Sequence, residues 1–393
     1  MIGFFVVIRK KRCRGSDHFL AGQGAPAPLK KNPVTYIWQS IYDRAKIAST
    51  MDCPVCGGDC VRPAHEVLAA LPTRFFPCPS CRMQVLDKRA PLPVLTYPEP
   101  CSCGKRFIDG VFAHLYVIMR EEGDLTRDDP LIAVGSPLVH PGFAMDRPPF
   151  LPEKSLVLLS GKVTEKTARR IAAEVPEVQG VVQTSPGIPG LASHEPGAVP
   201  RSHTLLAGCD VRADLVPVGE QTLVVYKQQS VIHVEFPRAG YPKIRSVAAR
   251  VGKPLAPLFV DACSGPGTLG LAAASLGVPH VILNDAWYAA AFWSAVNIGV
   301  NRRYFAVDDV KICAQYAKMA ACPVLRVPEK VAETRGRQVL EVYQGDFQNL
   351  VSVIPRDTGP VTALDIFDKQ DQGVVSALLR DWQSRVGGSV FVP

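Results

Sequence analysis

The stretch from Leu258 to Asn301 reads LFVDACSGPGTLGLAAASLGVPHVILNDAWYAAAFWSAVNIGVN. Leu258-Phe259-Val260-Asp261 is a short apolar run closed by a carboxylate, Ala262 to Gly267 is a small-residue loop with two glycines, and Thr268 to Leu276 has helix-forming composition. The order is strand, tight turn, helix. A second apolar run, Val281-Ile282-Leu283, ends in Asn284-Asp285 about twenty residues beyond the glycines, where a parallel neighbouring strand would finish. A ligand lying across both strand ends meets glycine first and Asp285 second.

Glycine at 265 and 267 lets the backbone turn sharply and approach a ligand with no Cβ in the way, and the next helix offers unpaired N–H groups. A carboxylate at Asp285 accepts two hydrogen bonds from ribose hydroxyls, as in dinucleotide folds. The loop Asp-Ala-Cys-Ser-Gly-Pro-Gly nevertheless lacks the three-glycine pattern that holds a pyrophosphate. Asp261 would also repel phosphate, whereas it suits a cationic amino-acid group. The loop therefore favours S-adenosylmethionine (SAM) over NAD.

These residues resemble the class I SAM-dependent methyltransferases, in which the first strand ends in an acid and a Gly-rich turn and the second in the ribose-binding acid. Asn284-Asp285 followed by a helix carrying Asn297 and Asn301 resembles more closely the tRNA methyltransferases that make N1-methylguanosine and their relatives in wybutosine synthesis. The resemblance implies a Rossmann-like α/β domain over 246–393, with Asp261, Ala262, Gly265, Gly267 and Asp285 at the cofactor. It also implies that Asp346, in Gly345-Asp346-Phe347 after the expected strand Val339 to Val342, hydrogen-bonds the adenine amino group. The next strand, Val361 to Leu364, delivers Asp365 to the same edge, where it is the expected base or orienting group. Related enzymes that methylate amino groups often carry Asn-Pro-Pro-Tyr or Asp-Pro-Pro-Tyr there; this chain has Asp365-Ile366-Phe367-Asp368, which disfavours an exocyclic amine as acceptor. Cys263 is read as a small loop residue before it is read as a nucleophile. Gly387 to Val392 reads as a fifth strand, with no antiparallel pair after it.

With 393 residues and 47% apolar side chains the chain is long enough for two or three domains. Of the formal net charge of +8, the first fifty residues hold a surplus of seven, so the remainder is almost neutral. A basic arm can neutralise RNA phosphates, but 1–50 also has the Gly, Ala and Pro content of a linker or disordered extension. Met51, just before the first cysteine pair, is a candidate natural start. No run approaches the roughly 18 apolar residues of a membrane span, and Met1 to Ile8 precedes its basic residues instead of following them. The expectation is a cytoplasmic protein with no targeting segment.

Seven of the twelve cysteines lie between Cys53 and Cys103. Without a secretory signal, CxxC-type spacing points to metal rather than to disulfides. Cys53-Pro54-Val55-Cys56-Gly57 and Cys78-Pro79-Ser80-Cys81 together suit one Zn2+ in a zinc ribbon spanning 51–122. Cys101 and Cys103, with Cys60 and either His65 or His114, complete a second site or replace one of the first pairs. Phe107 to Arg120 has helical apolar spacing that closes the ribbon against the next domain, with His114 on its surface.

Glu122 to Pro152 reads as a connection. A small α/β accessory domain is expected over 153–245, from a strand at Leu156 to Leu159, a helix capped by Thr164 and running to Glu174, and a strand at Val181-Val182. Thr222 to Tyr226 and Val231 to Phe236 read as a hairpin around Gln228-Gln229-Ser230, and Val310 to Ala320 as a helix. The function this supports is a SAM-dependent methyltransferase on a macromolecule, RNA of tRNA type first. The alternatives are a protein side-chain methyltransferase with, for example, a thiol acceptor, and a zinc-ribbon binding module on a degenerate methyltransferase fold.

Overall fold

The computed structural model describes residues 52–190, 200–233, 235, 240–252, 254–366, 369 and 371–393. The basic segment 1–50 lies outside the described residues. The expected strand at the centre of the quoted stretch forms as β9 (Leu258–Asp261), with all four residues buried. Its flanks are β10 (His280–Asp285) and β14 (Val361–Ala363), both parallel to it. With β13 (Val339–Gln344) beside β10 and β15 (Ser389–Phe391) beside β14, five parallel strands run in the order β13-β10-β9-β14-β15.

Counted along the chain, that order is 3-2-1-4-5, an open doubly wound sheet whose direction of winding reverses between β9 and β14. Ligands of such sheets lie at that reversal, outside the carboxyl ends of the strands. Both faces are covered, which is why the strands read as unbroken apolar runs. Phe259, Val281 and Leu283 pack against α5 (Thr268–Ser275) and α6 (Tyr288–Val300). Leu258, Val260 and Ile282 point to the other face, against α8 (Gln372–Val386) and the 3-10 turn Phe347–Ser352.

Two further strands, β11 (Val307–Ile312) and β12 (Glu329–Gly336), extend the sheet antiparallel beyond β13. They correct two expectations. The segment read as a helix over 310–320 is β11 followed by α7 (Tyr316–Ala321), because Val310 and Ile312 alternate with exposed Asp309 and Lys311 in a period of two. The antiparallel pair expected to be missing after the fifth strand is inserted before the third, on the opposite edge; among the described residues no strand pairs with the outer edge of β15.

The preceding α/β region holds a second sheet of β2 (Ser136–Val139), β4 (Leu156–Ser160), β5 (Val178–Gln183) and β6 (Thr204–Gly208), in that spatial order. Thr164 caps α3 (Glu165–Glu174) by accepting from the Thr167 N–H, as its sequence predicts. The stretch 122–152, read as a connection, contains β2; Pro137 is tolerated because β2 is an edge strand. The helix α2 (Ile108–Glu121) buries Val111, Phe112, Leu115 and Met119 in one core with Leu156, Leu158 and Ile171. His114 is buried in it rather than lying on its surface, with Nδ1 3.1 Å from Arg106 Nη1 and its ring stacked on Tyr97.

The strand at 222–226 forms within β8 (Gln221–Gln228), but its partner is the preceding β7 (Val211–Val218). The hairpin turns at Gly219-Glu220, where Gly219 has φ +57°, the left-handed value a two-residue turn of this kind demands. Val231 and Ile232 lie in the turn after β8, and Val234 and Phe236 are outside the described residues. Asn297 of the adjoining helix α6 and Asn301 at its C-cap cover the outer edge of β8. The amide N–H of Tyr226 donates to Asn297 Oδ1 at 2.7 Å and that of Val224 to Asn301 Oδ1 at 2.9 Å. Each Nδ2 donates back to the carbonyl of the same strand residue, at 2.8 and 2.7 Å. Four residues of helix advance about 6 Å and two of strand about 6.6 Å, so one helix face reads alternate residues of an extended edge.

Asn301→Ala leaves the buried N–H and C=O of Val224 without partners. The expected loss is about 2–4 kcal/mol of unfolding free energy, read from urea denaturation; a loss below 0.5 kcal/mol would show that water satisfies this edge equally well.

Candidate functional site

The loop 262–267 leaves the end of β9 at the reversal point of the sheet, and neighbouring side chains fix it from three directions. Asn284, at the end of β10, donates Nδ2 to the carbonyls of Ala262 at 3.0 Å and Gly345 at 2.9 Å, tying the first, second and third parallel strands together. Ser294 Oγ donates to the carbonyl of Gly265 at 2.9 Å, and Asn297 Nδ2 to that of Pro266 at 3.0 Å. Gly265 and Gly267 both have positive φ, +53° and +92°. A Cβ at Gly267 would press on Leu283 and Ser294, whereas one at Gly265 would meet nothing within 4 Å. Gly267 is thus required by packing; Gly265 has an open side, as close approach of a ligand requires.

Four carboxylates stand at this edge: Asp261 as the last residue of β9, Asp285 as the last of β10, Asp346 after β13 and Asp365 after β14. All four bear electrostatically on the thiol of Cys263, which burial in the first place and their charges in the second push well above the ordinary thiol range. A thiol so placed is a poor nucleophile, which leaves Cys263 its expected role as a small loop residue. Burial pushes the Asp261 carboxyl up to about 8, although the Gly270 N–H donates to its Oδ2 at 2.8 Å. Its Oδ1 is buried without a partner. Burial likewise raises Asp285 to about 6, while the N–H groups of Gly265 and Trp287 donate to its two oxygens, each at 2.9 Å.

A carboxylate offers about four lone-pair sites, so Asp285 retains acceptor capacity for a diol. Asp346 is half-buried and caps the turn Phe347–Ser352 through the Gln348 N–H. Asp365 has its two oxygens engaged by ammonium groups, Lys243 at 2.7 Å and Lys369 at 2.5 Å. That arrangement suits an orienting group better than a proton acceptor. The edge as a whole presents glycine, backbone and carboxyl groups; Asp365 is offset by its two lysines and burial holds Asp261 largely protonated near neutral pH, so a bound cation, by favouring ionisation of Asp261, fits the edge better than a phosphate.

The cysteines form two groups of four, and the grouping corrects the expected pairing. Cys78, Cys81, Cys101 and Cys103 lie together, and Cys53 and Cys56 are joined by Cys60 and Cys209 instead of by Cys78 and Cys81. In the first group the Sγ atoms are 3.6 Å apart for Cys78 and Cys101 and 3.5 Å for Cys81 and Cys103. Thiolates about 2.3 Å from a tetrahedral zinc stand about 3.8 Å from one another, so the group fits that ion and leaves no position open. Neither His65 nor His114 belongs to either group. Burial, followed by the Arg106 charge, pulls His114 down to about 4.

Cys209, Ser294 and Lys243 were not foreseen. Cys209 is isolated in sequence, and Ser294 and Lys243 reach the site only through the packing of α6 and α4 (Pro242–Val251). Spacing carries no signal for any of the three.

No protein-family model matches the chain, and none of the curated proteins is similar to it in sequence. Several solved structures are similar to parts of it, three of them as follows. Trm1 from Pyrococcus horikoshii in complex with S-adenosyl-L-methionine is 17% identical over 45% of this chain and 42% of that one, with a TM-score of 0.32. TYW2 from P. horikoshii in complex with MeSAdo is 23% identical over 37% and 48%, with a TM-score of 0.26. Wild-type Trm5b from Pyrococcus abyssi is 12% identical over 65% and 58%, with a TM-score of 0.34. The chain spans about half the length of these structures.

The raised carboxyls at Asp261 and Asp285 fix a pH dependence of the ligand-free protein. A folded pKa above the unfolded value near 4 means that the folded state holds the extra proton, so the stability this confers is complete below about pH 4 and is lost as pH rises through about 6 and about 8. Asp261→Asn keeps the acceptor for the Gly270 N–H and has no charge to bury. Denaturation midpoints between pH 5 and 8.5 are expected to fall with pH in the wild type and to flatten in this variant; parallel slopes would contradict the buried acid.

Proposed function

We propose that the chain is a SAM-dependent methyltransferase acting on a macromolecule, with RNA as the acceptor, and that Cys78, Cys81, Cys101 and Cys103 hold a structural Zn2+. The observation that carries the reading is the set of four strand-end carboxylates around a glycine loop at the reversal point of a parallel sheet. A dinucleotide pyrophosphate is repelled there, and a sulfonium with an adjacent ammonium is attracted.

When bound, SAM supplies an already activated methyl group. The chain's own contribution is then position and charge. Asp261 and the backbone of Ala262 to Gly267 take the cationic amino-acid end, Asp285 the ribose hydroxyls and Asp346 the adenine amino group. Asp365, with both oxygens engaged by Lys243 and Lys369, acts as an orienting group at the rim. RNA as acceptor is supported by the resemblance of residues 284–301 to the tRNA methyltransferases and by the seven surplus positive charges of the first fifty residues. The almost neutral remainder supports the second reading, a protein side chain as acceptor.

Transfer of radiolabelled methyl from SAM, with the full-length protein and with a chain beginning at Met51, tests this against unmodified tRNA and against a protein extract. Label in tRNA that weakens when 1–50 are removed is the expected result. Label in protein with both chains would replace RNA by the second reading. SAM binding without transfer to either would leave a binding module. Asp285→Ala is expected to weaken SAM binding at least about tenfold in calorimetry, the loss of one to two charge-assisted hydrogen bonds.

A further inference from the structure

We infer that Cys53, Cys56, Cys60 and Cys209 form a second metal site, a four-thiolate centre for Zn2+ that staples the segment 53–60 to the link leading into the β7–β8 hairpin. The four Sγ atoms lie within 4.8 Å of one another, with Cys53 and Cys209 at 3.7 Å and Cys56 and Cys60 at 3.2 Å. These separations are far beyond the roughly 2.05 Å of a disulfide and close to the edges of a thiolate tetrahedron about a 2.3 Å metal. Thiols are weak hydrogen-bonding groups, so mutual attraction of four of them does not account for the convergence. Complete sulfur ligation leaves no place for water or substrate, which makes the centre structural.

The backbone on both sides is built for it. Residues 53–58 form a closed knuckle in which the Gly57 N–H donates to the Cys53 carbonyl and the Cys53 N–H to that of Gly58, both at 2.8 Å. Cys209 sits in the two-residue link between β6 and β7, and its N–H donates to the Gln179 carbonyl of β5 at 2.8 Å. Cys53 and Cys209 are buried, 156 residues apart in sequence, while Cys56 faces solvent. A metal here therefore closes a very long loop and joins two pieces of chain, 53–60 and the link at Cys209.

From Cys209 the connection to the cofactor loop is continuous. Strand β7 begins two residues after Cys209 and pairs along its whole length with β8. The Arg62 N–H, two residues beyond Cys60, donates to Tyr226 Oη of β8 at 3.0 Å. Asn297 clamps the same Tyr226 backbone and donates to Pro266 in the loop. Occupancy of the thiolate centre should accordingly bias the geometry of the loop; this consequence, unlike the site itself, rests on the reading of the loop as a SAM site.

The test is metal content of the full-length protein, purified in the presence of zinc and measured by mass spectrometry of the metal. Two equivalents are expected for the wild type and one each for Cys209→Ser, Cys56→Ser and Cys103→Ser, the last acting on the other group. Cys56 is exposed, so Cys56→Ser keeps the test decisive if Cys209→Ser fails to fold. Folded Cys103→Ser protein reconstituted with Co2+ should show the visible spectrum of tetrahedral four-thiolate cobalt. One equivalent in the wild type, two retained in Cys209→Ser or Cys56→Ser, or a Cys56–Cys60 disulfide found by thiol counting after denaturation would overturn the site. SAM affinity should fall about tenfold in Cys56→Ser and not in Cys103→Ser; equal affinities with the expected metal counts would overturn the coupling and leave the site standing.

Discussion

Helix α6 holds the cofactor edge and the β7–β8 hairpin with the same row of side chains. Asn301 and Asn297 supply the hydrogen bonds that a third strand would otherwise give to the outer edge of β8, and Asn297 and Ser294 fix the carbonyls of Pro266 and Gly265. Both asparagines are fully buried. A buried amide without partners is costly, and one with all its partners specifies a single arrangement. The register of α6 against β8 is therefore fixed to the residue, and the loop inherits that precision. A rotation of the helix by one position would break the clamp and the loop contacts together.

The N-terminal part of the described chain is held differently. Between Phe76 and Lys105 no residue lies in a helix or strand, and Phe76, Met83, Val85 and Val94 are largely exposed. So little apolar burial cannot by itself offset the chain entropy of that segment. Polar anchors at its end do part of the work: Arg106 forms a buried fork with Glu177, at 3.0 and 2.6 Å, joining the start of α2 to the second sheet. Breaking one partner of such a pair leaves an uncompensated charge. On the proposal of bound Zn2+, the thiol groups are the other anchor, because metal ligation contributes folding free energy directly where a core is small.

What was legible in the sequence follows from range. Strands buried on both faces announce themselves as apolar runs, so β9 is readable residue by residue and β10, β13 and β14 to within one or two residues at their ends. The CxxC spacings marked cysteines that come together in fours but not which pairs meet, because that is decided by packing, over more than a hundred residues in the case of Cys209. Strand β7 was invisible for a sharper reason. It carries Arg212 and Asp214, and their charges, with Lys227 of β8, look like solvent-exposed loop until it is seen that all three are buried and paired with one another at 2.5 and 2.8 Å. Local hydropathy misreads any strand whose polar residues satisfy each other inside. The hairpin was then paired forwards with Val231 to Phe236, for want of a visible strand behind it.

The acids at the sheet edge run against stability, and this bears on what they are for. Asp261 is wholly buried with one oxygen unpaired, and the charges of Asp365 and Asp285 add to the penalty that burial imposes on its ionisation. Packing alone would favour an amide or an apolar side chain at that position. The lysines that would neutralise the cluster, Lys243 and Lys369, are both engaged by Asp365 at the rim, and none of the described ion pairs includes Asp261 or Asp285. The charge deficit is thus concentrated at the inner end, against the glycine loop, where a small cation held by the loop would relieve it and an anion would deepen it. Among the described residues of the ligand-free fold, the two inner carboxylates thus lack the ammonium partners that Asp365 has.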